Sequence, residues 1–114
     1  MMNASYYELR SAVLEVFYEI LLEENYTIGQ AASRGLVEFR REVVEGGRTG
    51  LIVLSVLLAR VARHEPARLA DFARETSVLA ELAKPEEHWA GLSADETERL
   101  SEDVRFVAEK SRAS

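Results

Sequence analysis

The sequence predicts an all-α fold: an antiparallel bundle of about five helices around one central apolar helix, residues 51–64. Three observations predict it. Apolar residues recur at three- and four-residue spacing along most of the chain. Three capping-box signatures, Ser5-x-x-Glu8, Thr27-x-x-Gln30 and Ser93-x-x-Glu96, stand directly before such stretches. One segment, Leu51–Ala59, is apolar on all sides apart from Ser55 and has no second β-like segment to pair with. Short connections between the helices make chain neighbours antiparallel. The 114 residues fit a single domain, 1–114, long enough to bury a core without a metal or disulfide staple.

The first helix, 5–24, opens at the Ser5–Glu8 box. Leu9, Val13, Val16, Phe17, Ile20 and Leu21 form its apolar stripe, which Tyr6, Leu14, Tyr18 and Leu22 widen toward two neighbours. Asn25 suits the left-handed position after a helix end. The second helix, 28–45, carries Ile28, Ala32, Gly35, Leu36, Phe39 and Val43. Its small residues Ala31, Ala32 and Gly35 permit close helix approach. Gly46-Gly47-Arg48-Thr49-Gly50 breaks the chain, with Thr49 or Gly50 able to cap the third helix, 51–64. The β-branched residues of that helix would also suit a strand; the missing partner strand decides for helix. Ser55 is expected to bond back to the Leu51 carbonyl. Pro66 suits the first turn of the fourth helix, 66–83, built on Leu69, Phe72, Ala73, Thr76 and Leu79, and Lys84-Pro85 ends it. The fifth, 94–110, places Leu100, Val104 and Val107 on one face with Phe106 off it, and the tail after Lys110 is expected to fray.

Charge is distributed unevenly around a net of −6. Residues 1–25 hold five acids and one base, 34–74 eight arginines and five acids, and 75–114 ten acids and five bases. Net acidity disfavours a general nucleic-acid binder and suits a partner with a basic surface; it also simply keeps a chain soluble. The apolar run at 51–59 is far short of the ~20 residues of a membrane span. The N-terminus turns acidic by Glu8, unlike a secretory signal, so the expected location is the cytoplasm.

Chemistry-bearing patterns are sparse. There is no cysteine, hence no thiolate nucleophile and no disulfide. His64 and His88 lack the Glu-x-x-His or His-x-x-x-His spacing of helical metal ligation, so no catalytic residue, metal or cofactor is expected. Glu15, Glu19 and Glu23 recur every four residues: carboxylates so spaced can do acid–base work or hold a hard cation, but also describe a solvated helix face. Arg48 in the glycine-rich break could help hold an anion at a helix start, or belong to a plain turn. Thr27–Arg40 is superficially like a helix-turn-helix, but no turn follows Gly35. Arg60, Arg63, Arg68 and Arg74 are expected to line a groove where the third and fourth helices meet, with few aromatics for base stacking.

One pattern resembles a known family. A small-residue helix ending Leu36-Val37-Glu38-Phe39, a polar loop, the Leu51–Arg63 helix and Leu69-Ala70-Asp71-Phe72-Ala73 are together similar to small helical immunity proteins of bacterial polymorphic toxin systems. The likeness covers about residues 12–80. Where the family carries Gly-Arg-Leu after its central helix, this chain has Arg63-His64-Glu65-Pro66-Ala67-Arg68-Leu69, so no functional residue transfers. The resemblance implies a protein that binds and blocks one cognate toxin, commonly acidic when the toxin is basic.

The sequence reading is therefore a non-enzymatic protein-binding module of the immunity or antitoxin kind. Its expected contact is an acidic face of Glu15, Glu19, Glu23, Glu86, Glu87, Asp95 and Glu96, with Tyr18, Tyr26 and Trp89 as anchors or as ordinary packing. The expected partner is a basic toxin domain. The rivals are a homo-oligomeric structural or adaptor protein and a nucleic-acid-associated regulator using the arginine-rich middle.

Overall fold

The computed structural model describes residues 5–113. They form six α-helices: α1 Tyr6–Glu23, α2 Ile28–Glu38, α3 Arg40–Glu45, α4 Gly47–His64, α5 Ala73–Leu82 and α6 Ala94–Ala113. Two short 3₁₀ segments, Pro66–Phe72 and Glu86–His88, join the later helices, and no strand occurs among the described residues.

The three capping boxes all form. Ser5 and Glu8, Thr27 and Gln30, and Ser93 and Glu96 each exchange side chain-to-backbone hydrogen bonds at the starts of α1, α2 and α6. Asn25 takes the left-handed conformation after α1, at φ 55°. A further cap comes from a distance: the Glu65 carboxylate accepts the Gly29 N–H at 2.7 Å, tying the start of α2 to the end of α4.

Every residue from Gly50 to Ala59, with Val61 and Ala62, is buried. α4 is thus the central helix that the apolar run predicts. Ser55 sits among these side chains and donates to the Ile52 carbonyl at 2.8 Å, one residue short of the expected Leu51 acceptor. α1 runs in the direction of α4, since Leu9 shares a cleft with Ile52 and Tyr18 meets Arg60. α6 runs the same way: the turn before it is held by Arg48 and its Asp103 by Arg63. α2 and α5 run opposite, with Gly35 against Leu57 and Leu82 against Gly50. Chain neighbours therefore alternate in direction. α1 packs on α2, α5 on α6, and all four on α4, while neither α1 with α6 nor α2 with α5 forms a packed pair. Two helical hairpins clasp the central helix and leave two gaps between them.

Four boundaries differ from the sequence reading. The expected 28–45 helix is interrupted at Phe39 (φ −103°, ψ 25°), which lets α3 turn across the first turn of α4. α4 begins at Gly47, not at 51, with Gly46 at φ 74° as its N-cap, so the glycine-rich break is mostly helix. Residues 66–72 are 3₁₀ rather than α. At three residues per turn Leu69 and Phe72 eclipse, and both are buried while the residues between them are exposed. The last helix continues to Ala113 instead of fraying after Lys110.

Gly50 shows why the break is rich in glycine. A Cβ there would lie 3.2 Å from the Glu42 carbonyl oxygen, 3.4 Å from that of Val43 and 3.3 Å from Leu82 Cδ1. Helix propensity alone makes Gly→Ala in a helix favourable by about 1 kcal/mol. Here two backbone oxygens of α3 would have to move, and overpacking costs roughly 1–3 kcal/mol. Gly50→Ala is therefore expected to lower stability in a urea melt; a gain of the propensity size would show that α3 does not press on α4.

Candidate functional site

α1 buries Tyr6, Val13 and Phe17 and turns a distinct surface outward. At about 100° per residue, Tyr7, Tyr18 and Leu22 fall within an arc of roughly 60° on its outer side. They are 37%, 39% and 78% exposed, three of the six exposed large hydrophobic residues among the described residues. Glu15, Glu19 and Glu23 run alongside them, all exposed, and none is ion-paired among the described residues. Adjacent like charges at four-residue spacing repel by a few tenths of a kcal/mol per pair, a strain that a cationic partner would relieve. Tyr18 is held in place from two sides: its ring meets Phe17 edge-on at 5.1 Å, and its hydroxyl accepts from Arg60 at 3.2 Å.

Behind this surface lies the gap between α1 and α6, filled by polar side chains over α4. Asp103 of α6 is 6% exposed and accepts from the Arg63 guanidinium at 3.3 Å; Glu102 lies 3.7 Å from the same group. Burial holds the Asp103 carboxyl above its ordinary value. The Arg63 hydrogen bond, then the charges of Arg63, Arg10 and Arg60, pull it down without cancelling that effect. Tyr6 is 2% exposed and its hydroxyl is pushed up to about 12, first by burial and then by the negative charge of Asp103. At the α6 start, the Tyr7 hydroxyl donates to Asp95. Phe106, expected off the packed face, is half-buried under the Arg63 guanidinium at 4.8 Å and the Lys110 ammonium at 5.4 Å.

The acidic residues named from sequence do not form one patch. Asp95 joins the first turn of α1 through Tyr7, and Glu96 serves the α6 capping box. Glu15 to Glu23 lie roughly 12–24 Å further along α1, at 1.5 Å per residue from Tyr7. Arg10, Arg60 and Arg63 stand in the gap beside them. Glu86 and Glu87 are exposed on the 3₁₀ turn after α5. Trp89 is half-buried in that connection, its indole N–H donating to the Ala83 carbonyl at 2.9 Å, which matches the packing alternative. Tyr26 is half-buried beside Gln30, Ser33, Arg34 and Val37 around a shallow cleft.

The arginines disperse as well. Arg60 and Arg63 face the α1–α6 gap, Arg68 pairs with Asp71, and Arg74 lines a separate cleft with Arg40 and Val44, so the expected four-arginine groove does not form. Arg48 donates to the His88 and Ala90 carbonyls and straps the loop before α6 onto α4, the plain structural role for the glycine-rich break. His88 Nδ1 lies 2.6 Å from the Leu82 carbonyl, and His64 is exposed at the α4 end. Among the described residues no cluster of three or more His, Asp or Glu is placed to hold a metal ion, and no helix is long and apolar enough to cross a membrane.

Sequence reasoning missed Arg10, Asp103 and Tyr7. The first two were visible as charges set into the apolar stripes of α1 and α6, between Leu9 and Val13 and between Leu100 and Val107. A charge on each of two buried faces signals that they meet. The chain matches no protein-family model, no curated protein and no solved structure.

The Asp103 shift has a sign that can be measured. A carboxyl raised in the folded state binds its proton more tightly there than in the unfolded chain. Its contribution is most favourable below the unfolded value of ~3.9 and is lost as pH rises through the raised folded one. Denaturant melts of the wild type and Asp103→Asn should show the wild type's relative stability falling as pH rises from about 4. A relative stability that rises with pH would place the carboxylate in a net favourable ion pair instead.

Proposed function

We propose that this chain is a non-enzymatic protein-binding module of the immunity kind, which holds a basic toxin domain against the outer face of α1 and blocks it. The observation that carries this reading is the coincidence, on one helix, of the exposed Tyr7–Tyr18–Leu22 stripe and the unpaired Glu15–Glu19–Glu23 row. Aromatic and large apolar side chains contribute most of the energy of protein contacts when they are seated in a partner's pocket. A row of carboxylates beside them steers a cationic partner into register and raises its association rate. Tyr18 arrives pre-positioned by Phe17 and Arg60, so little rotamer entropy remains to be lost on binding. The pattern resemblance to immunity proteins adds the kind of partner. Asp95 borders the Tyr7 end of this face, while Glu86 and Glu87 contribute outlying negative charge, not the contact itself.

The test is association kinetics with the product of a toxin-domain gene lying immediately upstream. Glu15→Lys, Glu19→Lys and Glu23→Lys together should slow association toward the unsteered range of roughly 10⁵–10⁶ M⁻¹s⁻¹ and remove most of its salt dependence. The melting curve should not fall, because all three side chains are solvent-facing. Unchanged kinetics across a salt series would remove α1 from the contact.

A further inference from the structure

The second gap, between α2–α3 and α5, is a groove of about 410 Å³. That lies within the range of roughly 300–1,000 Å³ for clefts that hold ligands. Its floor is Leu36, Val43 and Leu54, the last from the central helix. Val44 on one lip is 76% exposed and Val78 on the other 36%. Arg40 and Arg74 stand on opposite sides of it with a single carboxylate, Glu75, and neither arginine is ion-paired among the described residues. An occupant must offer an apolar side chain flanked by carboxylates. The outer face of α1 offers that combination: Leu22, the most exposed large apolar residue among the described residues, beside Glu15, Glu19 and Glu23.

We infer that the groove receives α1 of a second copy of this chain. Leu22 enters between Val44 and Val78, and the glutamate row meets Arg40 and Arg74. The two complementary surfaces are different patches of one chain, so the contact joins unlike patches and either closes reciprocally or runs head to tail. The inference rests on the α1 face of the preceding proposal. Its test uses only this chain, so failure here leaves partner binding standing, and failure of partner binding leaves this standing.

Sedimentation velocity of the full chain decides it. The wild type should gain mass above the monomer with rising concentration at low salt, and the association should weaken in high salt as the carboxylate–guanidinium contacts are screened. Leu22→Glu and Val44→Glu should each weaken self-association by ~tenfold or more, since each puts a charge at the centre of the contact. Both positions are exposed, so thermal melts should stay at the wild-type midpoint. Mixing the two variants is the decisive arm: one retains an intact groove, the other an intact α1, and together they should re-form a pair. A wild type that remains monomeric at low salt into the millimolar range overturns the inference. So does an association that both substitutions leave unchanged, or a mixture that stays monomeric.

Discussion

A helix that is apolar on every side cannot rest against one neighbour. Leu51 through Ala59 of α4 have no polar flank to present to water, and at ~1.5–3 kcal/mol for each large apolar side chain buried, exposing even one side would be prohibitive for a domain of typical stability. The remaining helices are arranged around this demand. α1 with α2 covers one side, α5 with α6 the other, and α3 closes the first turn through contact with Gly50. Small residues follow from the same demand: Gly35 meets Leu57 so closely that an added Cβ would come within 3.0 Å of it.

Clasping one helix with two hairpins leaves two gaps, and the chain treats them oppositely. The α1–α6 gap opens where α4 has passed from leucines to Arg60 and Arg63, and it is filled with charge: a buried carboxylate, the guanidinium beside it and a buried tyrosine. Ion pairs of this kind fix which faces meet more than they add stability. The α2–α5 gap lies over Leu54, where α4 is still apolar, and it stays an open groove rimmed by arginine. α1 borders the filled gap and carries on its outward side the acidic, aromatic surface on which the functional proposal rests. Arg60, at the edge of the filled gap, also holds Tyr18 in place.

The helical class, the three helix starts and the central helix were legible because each has a local cause: a capping box, or an apolar run with no polar side. The interruption at Phe39 and the 3₁₀ turn at 66–72 were not. Both come from how a segment must cross α4, which neighbouring residues do not encode. Leu69 and Phe72 suit helical spacing of either kind, and only their shared burial selects three residues per turn. The candidate site divides along the same line. The Glu15–Glu19–Glu23 row is a property of one helix and could be read from its spacing. Whether Asp95 and Glu86 belonged with that row depended on which end of α6 meets which end of α1. Parallel running of those helices, enforced by an even number of reversals between them, sets the two acidic groups apart.

Amide hydrogen exchange along α4, followed residue by residue under native conditions, tests the clasped-helix account most directly. Amides from Leu51 to Ala62 should be the slowest in the chain and should share one opening free energy equal to that of global unfolding, because no hairpin can leave without exposing this helix. Exchange of α4 at the rate of α3 or of residues 66–72 would contradict it, placing the stable core elsewhere.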